Sequence, residues 1–173
     1  VDFDNALDLL TGTGTDVITT ADSADQAITY VTDTTTQGND TFSNWNTGVD
    51  QVDLDKSVYS LSGTAGDNLS GGNYYEGAAG SAVAGTAYDV MVLTGSSYAD
   101  VGAAEDAVST RMTSATDGFV VYFDTGAQAR MFFDADLATD NNLADNAQVR
   151  FLNVTALGDM AANFAIGDFN IIA

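Results

Sequence analysis

The chain contains no cysteine, no histidine and no proline among its 173 residues. Without thiolate and imidazole groups it lacks the common nucleophile–base pairs of hydrolases and the usual ligands of zinc and copper. Its many serines have no histidine partner, and no pair of carboxylates is marked out for glycoside hydrolysis. The missing cysteines also exclude a disulfide framework. These absences predict that the protein is not an enzyme.

Basic residues are almost absent too, because only Lys56, Arg111, Arg130 and Arg150 oppose 25 acids. The formal net charge of -21 repels nucleic acid and anionic membranes, so neither is expected as a partner. No apolar run is long enough for membrane insertion, and no signal peptide is visible. Since the chain begins at Val1 rather than Met, we expect a processed product or a fragment of something longer.

Among the 25 acids only Glu76 and Glu105 are glutamates. Aspartate suits turns, where it bonds nearby backbone, and it suits calcium, which takes several oxygen ligands from loops. Two interpretations stay open: a solvated acidic surface like that of halophilic proteins, and a charge that divalent cations neutralise during folding. With 45% hydrophobic residues the chain can form one well-cored domain in either case.

The most regular pattern is a pair of apolar, aromatic-rich runs at residues 118–124 and 130–133. They flank a short Asp-Thr-Gly turn and predict a β-hairpin. Upstream, residues 88–93 read as a buried strand. A helix is predicted from about residue 98 to about 113, with a Ser-x-x-Asp capping box at residues 97–100. Its apolar stripe is made of Val101, Ala104, Val108 and Met112.

An acidic loop follows the predicted hairpin. Asp134, Asp136 and Asp140 are close enough in sequence to converge on one hard cation. The loop does not match an EF-hand, because Ala138 occupies a ligand position and Thr139 stands where the sharp turn needs glycine. Calcium binding and an acidic turn whose carboxylates bond to backbone are equal alternatives here.

Three segments in the first 55 residues share the pattern Gly-x-Asp-x-apolar, and their aspartates are Asp16, Asp40 and Asp50. Glycine permits a tight turn that exposes carbonyl groups, aspartate supplies carboxylate oxygen, and the apolar residue points into a core. Ordinary turns between strands are the alternative interpretation.

These segments resemble the glycine- and aspartate-rich nonapeptide repeats of the RTX (hemolysin-type) calcium-binding proteins, whose turns stack as a parallel β-roll around calcium. Their aspartates are 24 and 10 positions apart rather than about nine, so the resemblance implies a degenerate roll or its end. Residues 48–54 are similar to the segment that commonly ends such repeats. The resemblance implies calcium ligands at Asp16, Asp40, Asp50 and Asp53.

Residues 88–173 are similar to the C-terminal domain that follows the repeats in many secreted RTX-type proteins. The Tyr-Ala-Asp helix start, the Phe-Phe-Asp-Ala-Asp loop and the terminal Asp-Phe carry this likeness. The expected fold is mainly β, a degenerate β-roll or β-sandwich with one amphipathic helix. Residues 1–55 are expected to form the calcium-binding repeat region and residues 56–173 the capping and secretion region of one continuous folded unit.

The resemblance implies a non-enzymatic, calcium-dependent domain that is secreted or lies at the cell surface. Residues 168–173 are similar to an uncleaved signal for type I secretion, and Ca²⁺ is the implied cofactor. Two alternatives stay open. One is a subunit of a surface layer or extracellular filament, a homo-oligomer that assembles through edge strands. The other is the export and folding module of a larger secreted hydrolase.

Overall fold

A computed structural model describes residues 9–10, 17–18, 26–30, 40–57, 59–62, 69, 71–112, 117–139 and 149–172. Within these ranges the chain forms eleven β-strands and two α-helices. The fold is therefore mainly β, as the sequence predicts.

The strands form two sheets. The four-stranded sheet is parallel throughout and contains, in spatial order, β1 (Leu9–Leu10), β3 (Gln26–Tyr30), β5 (Asp50–Asp55) and β11 (Phe169–Ile172). The seven-stranded sheet contains β2 (Val17–Ile18), β4 (Asp40–Phe42), β10 (Val149–Phe151), β9 (Ala129–Asp134), β8 (Gly118–Asp124), β7 (Val90–Tyr98) and β6 (Tyr74–Gly77). In this sheet β9 is antiparallel to both of its neighbours, and the remaining pairs are parallel.

From β1 to β5 the chain alternates between the two sheets, one strand at a time. The last two strands resume this alternation, because β10 pairs in parallel with β4 and β11 pairs in parallel with β5. The path from β4 to β5 is thus repeated, one strand further along both sheets, by the path from β10 to β11. Strands β6 to β9 are inserted between β5 and β10 and extend the seven-stranded sheet.

A large apolar core fills the space between the sheets. Phe42 of β4 stacks on Phe151 of β10 with ring centroids 5.5 Å apart. Trp45 and Phe164, from the connections that follow these strands, pack edge-on against Phe151 at 5.1 Å and 4.8 Å. The four-stranded sheet adds Val52, Leu54, Phe169 and Ile171. Aromatic rings from both ends of the chain therefore meet in one cluster.

The other face of the seven-stranded sheet is covered by helix α1 (Val101–Ser109). Alternate residues of β8 reach the two faces: Phe119 and Val121 join the core between the sheets, and Val120 and Tyr122 join the helix layer. The predicted hairpin is confirmed by the antiparallel pairing of β8 with β9. Because it is covered on both sides, β8 reads as an unbroken apolar run and not as an alternating one.

The predicted helix is confirmed, but its start and its cap were placed wrongly. Strand β7 continues to Tyr98, so Ser97 belongs to the strand. The N-cap is Asp100, whose Oδ1 accepts a hydrogen bond of 2.9 Å from the backbone N–H of Ala103. A second, four-residue helix, α2 (Met160–Asn163), lies between β10 and β11. In the part of the chain that is described, neither helix is long and apolar enough to cross a membrane.

Replacing the N-cap Asp100 by alanine is expected to lower the free energy of unfolding by about 1 kcal/mol, because it removes the acceptor for a helix N–H. Urea unfolding followed by circular dichroism measures the change. Asp106→Ala, an exposed position in the same helix, is the matched control for the lost charge. Equal effects of the two substitutions would show that the cap contributes nothing specific.

Candidate functional site

Each Gly-x-Asp segment ends where a strand begins. Asp40 is the first residue of β4 and Asp50 the first residue of β5. Asp16 lies outside the described residues, but the next residue, Val17, begins β2. Val17 pairs with Thr41, the residue after Asp40. The segments therefore recur at the starts of strands in the alternating part of the fold.

The structure does not bring the described members of this group to one point. Asp40 and Asp50 are both buried, but they belong to different sheets. Asp53 alternates with Val52 and Leu54, which lie in the core between the sheets, so it faces the opposite side of its sheet. Its Oδ1 accepts a hydrogen bond of 3.0 Å from Asn170 Nδ2 of β11. Asp50 and Asp53 thus stand on opposite faces of β5.

The turn before β5 is closed on itself by hydrogen bonds. The backbone N–H of Asn46 donates to Asp50 Oδ2 at 2.8 Å, and Asn46 O accepts from the backbone N–H groups of Val49 and Asp50 at 3.1 Å and 2.8 Å. Gly48 has a φ of +73°, a conformation that favours glycine. The glycine of this Gly-x-Asp segment therefore serves the turn, as the sequence indicates.

A carboxylate that is not among the predicted calcium ligands binds the same turn. Asp168, 1% exposed, precedes β11 and accepts three hydrogen bonds. Gly48 N–H donates to Oδ1 at 2.7 Å, while Thr47 Oγ1 and the Ala165 N–H donate to Oδ2 at 2.6 Å and 2.7 Å. In the sequence it was noted only in the terminal Asp-Phe and in the segment similar to a secretion signal, neither of which indicates a bond to this turn. Two of its partners are about 120 positions away and could not be inferred.

In the described part of the acidic loop after the hairpin, residues 134–139, the carboxylates accept hydrogen bonds from neighbouring residues of the loop. Asp134 Oδ1 accepts from the Asp136 N–H at 2.8 Å. Asp136 accepts from the Ala138 N–H at 3.1 Å and from Thr139 Oγ1 at 2.8 Å. These are the carboxylate-to-loop bonds of the acidic-turn interpretation. Asp140 lies outside the described residues, so a calcium site that includes it stays a prediction.

Other buried carboxylates, absent from the sequence-based candidates, are bound by donors as well. Asp89 accepts from Ser62 N–H and Oγ at 2.7 Å and 2.9 Å, and from Asn73 Nδ2 at 2.8 Å. Asp124 forms an ion pair with Arg130 and accepts from the Gln128 N–H at 2.9 Å. Such bonds offset the cost of removing carboxylates from water.

Tyr74 of β6 contacts Phe164 in the connection from β10 to β11 and Phe169 of β11. Its hydroxyl donates to Phe164 O at 3.1 Å, and its ring lies 6.4 Å from that of Phe169. Burial, with the nearby carboxylates of Glu76 and Asp168, raises the pKa of Tyr74 above its ordinary value. The hydroxyl therefore stays protonated, and stays a donor, to a higher pH than that of an exposed tyrosine.

Within the described ranges, no three acidic side chains come together in a group that could hold a metal ion. The ligand sets predicted from the sequence extend to Asp16 and Asp140, outside those ranges. Searches against protein-family models, curated proteins and solved structures found no match to this chain.

Proposed function

We propose that this chain is a non-enzymatic, calcium-dependent structural domain of a secreted or cell-surface protein of the RTX type. The observation that supports this most directly is the position of the Gly-x-Asp segments. Each ends at the start of a strand in the part of the chain from β1 to β5, which alternates between the two sheets and whose strands pair in parallel within each sheet. These positions support a degenerate β-roll, because the turns of a β-roll stack and repeat their aspartates at equivalent places.

The proposed ligands are Asp16 and Asp40. They immediately precede Val17 and Thr41, which are paired neighbours in parallel strands. Carboxylates at such equivalent places offer the oxygen ligands that calcium prefers. Bound calcium neutralises part of their charge and adds its binding free energy to folding. Asp50 begins a strand of the other sheet and is not part of this pair, so its role as a calcium ligand stays a prediction.

The net charge explains why folding is proposed to depend on calcium. A charge of -21 opposes compaction when no counter-ion is bound. At low cytosolic calcium the repeat region therefore stays unfolded for export, and it folds in the higher calcium outside the cell. Residues 168–173 are proposed to act as the type I secretion signal before β11 pairs with β5, since Phe169 and Ile171 are buried in the folded chain. Export therefore has to precede this pairing.

Far-UV circular dichroism in EGTA and in millimolar calcium tests the proposal. The strand signal is expected to rise on addition of calcium, and magnesium at the same concentration is expected to give a smaller rise. Asp16→Asn should weaken the calcium response, whereas Asp159→Asn, an exposed position, should not. Identical folded spectra in EGTA and calcium would contradict the proposal. Light scattering in the same titration detects the homo-oligomer or surface assembly, which stays a prediction.

A further inference from the structure

Two connections between the sheets lie against each other. The first connection, residues 43–49, joins β4 to β5, and the second connection, residues 152–168, joins β10 to β11. Trp45 N–H donates to Asn153 Oδ1 at 3.0 Å, and Asn153 Nδ2 donates to Trp45 O at 2.6 Å. Trp45 Nε1 donates to Asn163 O at 2.7 Å. Hydrogen bonds of side chains thus join the second connection to the first, in addition to the pairing of β10 with β4 and of β11 with β5.

Asp168 adds a carboxylate to the contact between the two connections. It belongs to the second connection, and both of its oxygens accept hydrogen bonds from the first, at Gly48 N–H and Thr47 Oγ1. The Ala165 N–H adds a donor from its own connection. N–H groups present the positive end of a dipole, so they favour a carboxylate at this place and oppose a cation. A calcium ion, which takes oxygen ligands, would have to displace them.

We propose that Asp168 closes the first connection without metal, and that the part of the chain from β4 to β11 folds without calcium. This inference rests on the proposed function, because it divides a calcium-dependent protein into two parts. The closed part presents β4 and β5 as the strands on which β2 and β3 pair. Calcium then binds between Asp16 of the repeats and Asp40 at the start of β4, and the repeats before β4 fold onto a preformed surface.

Trp45 reports on this closure directly. It is the only tryptophan, it is 2% exposed, and its ring lies 5.8 Å from that of Phe164 in the second connection. Its fluorescence follows the docking of the two connections, while far-UV circular dichroism of the whole chain also follows the repeats. The two signals are measured on the full chain in EGTA and during a calcium titration.

The expected result is a blue-shifted Trp45 emission in EGTA that calcium leaves nearly unchanged, together with a strand signal that rises with calcium. Trp45 emission typical of water in EGTA, shifting to the blue only with calcium, overturns the inference and leaves the proposed function standing. If neither signal responds to calcium and Trp45 is buried throughout, the proposed function fails, whereas metal-free closure is supported.

Two substitutions distinguish the metal-free closure of the first connection from the calcium response of the repeats. Asp168→Asn places an amide N–H₂ against donors, so Trp45 emission should shift to the red in EGTA, and Asp159→Asn in the same connection should not shift it. Asp16→Asn should lose most of the calcium response and keep Trp45 buried in EGTA. An Asp168→Asn emission equal to that of Asp159→Asn overturns the inference, as does exposure of Trp45 by Asp16→Asn.

Discussion

Replacing Phe151 by alanine is expected to lower the free energy of unfolding by about 4 kcal/mol. The ring of Phe151 is fully buried and contacts three aromatic rings from three segments, those of Phe42, Trp45 and Phe164. Its removal leaves a cavity where the two connections and the two sheets meet. A loss of this size is a large fraction of the stability of an ordinary domain.

Urea unfolding in calcium measures this loss, with circular dichroism as the signal because the substitution also changes the surroundings of Trp45. Leu152→Ala at the adjacent position is the matched control. Leu152 is 38% exposed, so this substitution removes less buried apolar area than Phe151→Ala does. It is expected to cost under about 1 kcal/mol. Comparable losses for the two variants would contradict the placement of Phe151 at the centre of the core.

Gly118→Ala is expected to lower the free energy of unfolding by about 2 kcal/mol, through overpacking. A Cβ at this position would lie 2.4 Å from Leu137 Cδ1 and 2.7 Å from Tyr88 O. Leu137 is fully buried, and the backbone beside Tyr88 is held because Asp89 O accepts from the Phe119 N–H at 2.8 Å. Neither neighbour can move away without breaking other contacts.

Gly158→Ala is the control for this substitution, because a Cβ at Gly158 would meet nothing within 4 Å. Its effect on the urea midpoint is expected to be small. A thermal melt of both variants gives a second measure of the same difference. Unchanged stability of Gly118→Ala would show that β8 and the segment around Leu137 are not in close contact.

Local patterns were sufficient for several elements. The aromatic runs on either side of the Asp-Thr-Gly turn predicted the pairing of β8 with β9, since turn chemistry and strand length are local properties. The spacing of Val101, Ala104 and Val108 predicted α1 and its buried face. The helix start was predicted wrongly because Ser97 and Asp100 are both favourable N-cap residues. Strand β7 extends to Tyr98, so Ser97 lies in the strand and Asp100 is the N-cap.

The candidate site was predictable only in part. Gly-x-Asp segments at the starts of strands could be read from the sequence, because glycine and aspartate act on their own turn. The opposite faces of Asp50 and Asp53 follow from strand periodicity, once β5 is known to be a strand with Val52 and Leu54 inside. The closure of the Gly48 turn by Asp168 does not follow from any local rule.

The sequence by itself determined the mainly β character, the hairpin, the helix face, the net charge of -21 and the absence of cysteine and histidine. Only the tertiary structure decided that β10 and β11 return beside β4 and β5. The physical reason is that parallel pairing joins residues far apart in the chain, and its register depends on which apolar faces are buried together. Through that pairing Asp168 arrives beside Gly48 and Thr47, and a residue at the end of the chain closes a turn near its beginning.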